Sequence, residues 1–511
     1  MSRRTPLRGS NGVAFGPDGR LYVAEFLAGR ISAVDLASGD VDVVVPDDGP
    51  VRSPDDLAFG ADGSMYVTDL VPGRVWRRDP LGRYDLVSDR VALPNGIACV
   101  GDRLFVNEMK PGGRLLELFP DGREPRVLAD GLAMGNAMQL GPDGRLYYPH
   151  MLTGRVCRVP LDGGEPELVA DDVHEPVAVR FDRDGVLVVL SRGVQGFVTR
   201  IDLFGTGART VVASGVVGLD NAAFDDDNRM FASSFASGGI AELFPDGRTR
   251  EVVPQGLVGP YGVTVDLGGT VYAADHYRVA GPREDGVITH ELMPFAHGIV
   301  ADGELLHLTS QYGEVRTYDP ARKVARVRAG GLDRPTGIAV RSDGSLVVAE
   351  TGGGRVLAVD ADDTVTVLAE GLDRPVDVAI DDRQRCYVSD EGRGAVFRLD
   401  DGEPVPVADG LAAPQGLVVR GDELVVVETG RRRVVAVPLT AGPWRVEAED
   451  VAVGAARDLP ALFAHGMPGA PRGFAGLAVG PDGALHVSAD GEGGVLRLEP
   501  GHQATGSSYT P

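Results

Sequence analysis

Short apolar runs follow one another along the whole chain, each cut off by a turn rich in Gly, Asp, Asn or Pro. In the first unit the runs are VAF, LYVAE, RISAVD and VDVVV, separated by Pro-Asp-Gly, Leu-Ala-Gly and Ala-Ser-Gly-Asp. Runs of this length joined by such turns read as strands in hairpins, and helical periodicity is nearly absent. Aligned on x-G-hydrophobic-A-hydrophobic, then a D-G turn, then L-Y-V-x-[DE], the repeats start at Asn11, Asp55, Asn95, Asn136, Val177, Asp220, Tyr261, His297, Thr336, Val376, Gln415 and Ala475. Their spacing is about forty residues until the last step, a period that marks repeat architectures. One four-stranded meander cannot cover both its faces, whereas several stacked radially about an axis can. The pattern therefore predicts an all-β chain of two tandem six-bladed β-propellers built from four-stranded antiparallel blades, residues 1-257 forming the first and 258-511 the second. Rings of seven and five also use twelve units; six and six divides the chain without splitting a repeat.

Two irregularities stand out. Before the last repeat roughly twenty extra residues, 455-474, replace a connection of a few. Two readings are open: a lid in which Leu459, Leu462, Phe463 and Met467 cover a cavity mouth with His465 pointing inward, or a packed turn filling a gap between blades. The final repeat also lacks an outermost strand after GVLRLE, which either tail could supply.

Composition narrows the class. No stretch approaches the roughly 18 uninterrupted apolar residues of a membrane helix, and the start MSRRTPLRGS has no apolar core of a secretory signal. Cys99, Cys157 and Cys386 are the only cysteines, without C-x-x-C spacing, so neither a disulfide framework nor a thiolate zinc site is expected and a reducing cytoplasm fits. A formal charge of -24 with scattered basic residues argues against nucleic acid and anionic membranes as partners. The expected partner is a small-molecule substrate, and the expected state a monomer.

Propeller geometry says where chemistry can sit. The innermost strand starts at the residue before the repeat Gly, and the second strand returns to end at the acidic position, so both lie on one face. In the first ring the starts Asn11, Asp55, Asn95, Asn136 and Asp220, with Asp56 and Asn221 one place on, converge amides and carboxylates on the axis. That is an oxygen set for a divalent cation: Ca, Mg or Mn, with Zn at the margin. The second-strand ends there are Glu25, Asp69, Glu108, His150, Ser191 and Ser234, with His150 a substrate-binding candidate. The competing reading is structural, since Asn and Asp before Gly form turns and an acid after a strand can tie the next one. In the second ring Tyr261, His276 and His297 are candidate acid-base groups, with Asp275, Glu350, Gln415 and His465 around a pocket for an organic ligand.

No G-x-S-x-G elbow, H-E-x-x-H or phosphate-binding G-K-[ST] occurs, which removes support for serine-hydrolase, zincin and nucleotide chemistry. The repeats NGVAFGPDGRLYVAE, PDDLAFGADGSMYVTD, PNGIACVGDRLFVNE and TGIAVRSDGSLVVAE resemble those of the SMP-30/gluconolactonase and NHL-repeat propellers, over nearly the whole chain. The resemblance implies a divalent cation on the axis held by Asn95, Asn136 and Asp220, with Asp55 supplying the carboxylate of an early Glu whose place Asn11 takes. It also implies a lactonase-like hydrolase in which the cation polarises a lactone carbonyl and Asp220 assists water attack. Two other classes stay open: a metal-independent cyclase or lyase of secondary metabolism on the second ring, and a non-catalytic binding scaffold. At 6% aromatics the chain is poor in the exposed rings that a scaffold uses.

Overall fold

A computed structural model describes residues 5–283, 286–310, 312–440, 442–454, 473–489 and 493–499. The proposed lid and His465 lie outside the described residues. The rest separate into two compact units, Thr5–Val258 and Gly259 onward.

The first unit holds six four-stranded antiparallel sheets, each drawn from consecutive strands. Blade 1, for example, is Ser10–Phe15, Leu21–Glu25, Arg30–Val34 and Val41–Val45. Its innermost strand neighbours Pro54–Phe59, and the series runs on through Pro94–Val100, Gln139–Leu140, Pro176–Phe181 and Leu219–Phe224 back to Ser10–Phe15. That closes a ring of six. The second unit closes likewise through Val263–Val265, Gly286–Asp302, Pro335–Val340, Pro375–Ile380, Pro414–Arg420 and Leu477–Val479.

The core lies between the faces of successive blades. Tyr22, Ile31 and Val45 of blade 1 meet Leu57, Met65 and Val67 of blade 2, each such side chain contributing about 1.5–3 kcal/mol when fully buried. The repeat Gly sits where neighbouring inner strands approach most closely. A Cβ on Gly476 would lie 2.6 Å from Tyr261 O, and one on Gly298 would fall inside Thr336 O.

Hydroxyls on some second strands link a blade to the next. Thr309 Oγ1 accepts from Gly298 N (2.8 Å) and donates to Thr336 O (2.6 Å). Ser233 Oγ donates to Asn11 O and Ser488 Oγ to Tyr261 O, sealing the two rings.

One part departs from the expected blades. Val271–Arg283 and Gly286–Asp302 run on without a break, so the seventh and eighth repeats merge into one six-stranded sheet. Other blades close their middle turn with a left-handed Gly such as Gly29 or Gly354; here His276 takes that conformation (φ 49°) and the strand continues. The last sheet has three strands among the described residues. No helix among them is long and apolar enough to cross a membrane.

Candidate functional site

Inner strands open with a bulge over the x-G pair. The register jumps between Ser10 and Val13, between Pro54 and Leu57, and between Leu219 and Ala222. A bulge re-aims the side chains it contains, so consecutive residues take different tasks.

Asp55 and Asp220 belong to the two blades that flank Asn11 in the first ring, and both are buried, at 4% and 7% exposure. Asp220 is pushed up to about 7, first by burial and then by the charge of Asp56, against Arg192 and Arg180. Asp55 is held well above the usual carboxylate range by burial, then by Asp220 and Asp56, while a hydrogen bond from Asn11 opposes. Two like charges in one desolvated site cannot both ionise freely. Burial and neighbouring carboxylates favour the protonated form of both.

The amides of this mouth are oriented by sulfur. Asn95 Nδ2 donates to Met109 Sδ at 2.9 Å, and Asn95 Oδ1 is buried without a hydrogen-bond partner among the described residues, as is Asn11 Oδ1. Asn136 departs from its expected role. Its Oδ1 accepts the N–H of Ala137 (2.7 Å) and its Nδ2 faces Met151 Sδ (3.3 Å), which turns its carbonyl back onto its own chain.

Beneath this mouth the axis is crossed by a polar plug. Asp56 Oδ1 accepts from Asn221 Nδ2 (3.0 Å) and its Oδ2 from Ile97 N (3.2 Å). Arg180 donates to Asn221 Oδ1, to Ala222 O (2.7 Å) and to Met138 O (2.9 Å), spanning blades 4 to 6. Below it lies a cavity of about 650 Å³ lined by Ala14, Ala58, Phe181 and Phe224. Arg180 was not singled out from sequence. Its signal is the one cation in a repeat column otherwise filled by Ala14, Ala58, Ala98, Gln139 and Ala223.

The acidic second-strand ends have a structural task. Glu25 accepts Arg8 N (2.8 Å) and pairs with Arg30 (2.8 Å), and Asp69 accepts Ser53 N (2.7 Å). Asp275 and Glu350, expected at a ligand pocket, belong to the same system. Asp275 accepts Gly259 N (2.8 Å) and pairs with buried Arg278 (2.8 Å), and Glu350 accepts Asp333 N (2.9 Å) and pairs with Arg355 (2.6 Å). Each carboxylate is a latch, holding the chain entering its blade and a second partner a few residues on: Arg30 for Glu25, Trp76 for Asp69, Arg278 for Asp275 and Arg355 for Glu350. Gln415 is also occupied, accepting Ala475 N (2.8 Å) and donating to Glu391 (3.3 Å). His150 fills a latch position as a neutral acceptor. Its Nδ1 takes Ala133 N (3.1 Å), its Nε2 is buried without a hydrogen-bond partner, and burial lowers its pKa.

In the second ring the sequence candidates Tyr261, His276 and His297 do come together. Tyr261 stacks on His297 at 4.9 Å, and His297 on Phe474 at 5.5 Å; His276 meets Tyr261 edge-on at 6.0 Å and Phe295 at 5.3 Å. His276 is fully buried, neither ring nitrogen has a hydrogen-bond partner among the described residues, and burial, with His297 nearby, lowers its pKa to about 3. It is neutral at physiological pH. Phe474 also lines a cavity of about 310 Å³ on this axis, beside Asp377, which is pushed up to about 7 by burial.

A hard cation fits the first mouth by donor chemistry. Two carboxyl groups and two unpartnered amide oxygens form an all-oxygen set, which suits calcium, magnesium or manganese better than zinc. Among the described residues no three His, Cys, Asp or Glu gather closely enough to hold an ion by themselves, so the amides are required.

No family model matches the chain, and no curated protein matches it. Among solved structures it is similar to a streptogramin B lyase, with 18% identity, 54% of this chain and 92% of that one covered, and a TM-score of 0.40. It is also similar to a gluconolactonase from Xanthomonas campestris, with 19% identity, 45% and 84% covered, and a TM-score of 0.40. A calcium-binding regucalcin from Agrobacterium tumefaciens gives 20% identity, 46% and 85% covered, and a TM-score of 0.38. The propeller assignment stands on the strand order and on the closure of each ring.

Proposed function

We propose that the first ring is a hydrolase acting on a lactone or ester of a small organic molecule, with a divalent cation on its axis. One observation carries the reading: Asp55 and Asp220 interact at a buried mouth where Asn11 hydrogen-bonds Asp55 and the side-chain oxygens of Asn11 and Asn95 lack a hydrogen-bond partner among the described residues. Asp55, Asn11 and Asn95 would hold the cation, which when bound polarises an acyl carbonyl. Asp220, poised near neutrality, takes the proton of the attacking water. The water oxygen bonds to the acyl carbon, the acyl–alkoxy C–O bond then breaks and the proton passes to the departing oxygen, giving a hydroxy acid from a lactone or an acid and an alcohol from an ester. The plug of Asp56, Asn221 and Arg180 closes the axis beneath, so substrate enters and leaves on one face.

The test is metal analysis with thermal shifts in EDTA, Ca²⁺, Mg²⁺, Mn²⁺ and Zn²⁺, beside hydrolysis of a lactone and ester panel. Cation-dependent turnover, lost in Asn95→Ala and Asp220→Asn, supports the reading. Absence of any cation-dependent shift, or turnover untouched by EDTA and by Asp220→Asn, overturns it.

A second reading, metal-independent acid-base chemistry of the cyclase or lyase kind on the second ring, is favoured by His276. A buried imidazole with both nitrogens unsatisfied and a left-handed backbone is a costly arrangement of the sort that clusters at functional sites. Turnover that survives EDTA and is lost in His276→Phe would support it; EDTA-resistant turnover retained in that variant would exclude it.

A further inference from the structure

The first mouth has a wall as well as a floor. In all six blades the residue after the second strand donates its N–H to the carbonyl two places before the x-G pair: Phe26 to Gly9, Leu70 to Ser53, Met109 to Leu93, Met151 to Met134, Arg192 to Glu175 and Phe235 to Gly218. The shared hydrogen bond sets these side chains in equivalent places around the ring. They border the floor, because Met109 and Met151 touch the amides of Asn95 and Asn136. Five of the six are apolar and one is Arg192. Its guanidinium lies 6.0 Å from the centre of the Phe235 ring and 4.0 Å from Glu175, and its Nε is buried without a hydrogen-bond partner among the described residues. Its charge also reaches Asp220 on the floor. Ser191 Oγ and His150 Nε2, at the second-strand ends of blades 5 and 4, are likewise buried and unpartnered.

Unsatisfied buried polar atoms are uncommon in native proteins, and three fall on two adjacent blades, one of them on the cation of the apolar wall and two near it. A chain of formal charge -24 repels anions at large, so an anion drawn to this mouth needs a sited cation. We propose that Arg192 determines specificity here, and that the substrate is a carboxylate-bearing lactone or ester whose carboxylate pairs with Arg192 while its carbon skeleton lies along Phe26, Leu70, Met109 and Met151. The planar guanidinium fork matches a carboxylate, and Glu175 offsets part of the charge, which suits a monoanion over a phosphate dianion. This inference rests on the hydrolytic reading of the same mouth.

Two measurements separate the claims. The first compares a neutral aldonolactone with the aldaric acid monolactone that adds one carboxylate. Wild type is expected to favour the anionic substrate at least about tenfold in kcat/KM. Arg192→Gln should lower the ratio of kcat/KM for the anionic over the neutral substrate about tenfold, chiefly through KM for the anionic one, and Arg192→Lys should partly restore it, whereas any change made through Asp220 falls on both substrates alike. Equal use of both substrates, or an equal loss on both in Arg192→Gln, overturns the proposal. The second compares thermal shifts by phenylacetate and by its neutral counterpart phenylacetamide, and needs no turnover. A preference for phenylacetate that disappears in Arg192→Gln supports the role of Arg192 even if neither lactone is hydrolysed, the result that would sink the hydrolytic reading alone. Equal shifts, or none, overturn the role of Arg192.

Discussion

Asp220→Asn should make the cation-free protein more stable. In the folded chain this carboxyl is pushed up to about 7 from an ordinary value of 3.8. The folded state therefore binds its proton more tightly than the unfolded state, and stability falls as pH rises from about 4 to about 7 before levelling off. One pKa step is worth about 1.4 kcal/mol, so an ionised, cation-free Asp220 costs the fold at most about 4 kcal/mol. Asn keeps the shape and removes the charge. Unfolding is best followed in the Trp444→Phe background, which leaves Trp76 of the first unit as the sole tryptophan. In EDTA at pH 8 the Asn variant should melt above its parent by up to roughly 8–16 °C, taking about 2–4 °C per kcal/mol for a unit of this size. Near pH 4 the two should coincide, and saturating Ca²⁺ or Mn²⁺ should raise the parent more than the variant, because the cation also offsets the charge of Asp220. A variant equal to or below its parent at pH 8 in EDTA would refute the view of Asp220 as a strained carboxyl awaiting positive charge.

Gly298→Ala should destabilise the second unit by about 3 kcal/mol or more, because its Cβ would enter Thr336 O; urea titration followed by circular dichroism checks this. Glu350→Gln should cost about 2–3 kcal/mol through the lost charge on Arg355 and leave first-ring turnover unchanged, as expected of a latch. His276, with a pKa lowered from 6.5 to about 3, contributes stability that is full above pH 6.5 and lost as pH falls toward 3, by up to about 5 kcal/mol. His276→Phe should flatten that part of the acid-unfolding curve, and an unchanged curve would contradict the burial described for the ring.

The repeat pattern made the blades, the count of inner strands and the shared face of Asn11, Asp55, Asn95 and Asp220 legible, because strand alternation and turn chemistry are local. What it left undetermined is which of two equivalent residues is spoken for. Asp55 and Asp56 are neighbours of one type, yet only the bulge between Pro54 and Leu57 decides that Asp56 crosses the axis to Asn221 while Asp55 stays at the mouth. Glu350 and Asp275 look as available as Asp220 in an alignment of repeats. Their partners, Arg355 and Arg278, stand five and three residues further along, and no rule of spacing separates a paired acid from a free one. Arg192 escaped notice for another reason: its column is apolar elsewhere, and only the common hydrogen bond to the preceding loop shows that it borders the site.

The seam of the first ring has a practical consequence. No sheet of this unit borrows a strand across it; the sixth and first blades meet through Ser10 Oγ on Gly238 O (2.6 Å) and Ser233 Oγ on Asn11 O. The inner strands of those two blades lie side by side as they do at the other five joints. Thr5, Leu7 and Val258 crowd together over Gly238, where a Cβ would meet all three, and a short linker would span the two ends. Circular permutants of residues 5–258, with new termini cut in the surface loop at Asp47–Gly49 or in its counterparts, should keep every sheet whole and every mouth residue in place.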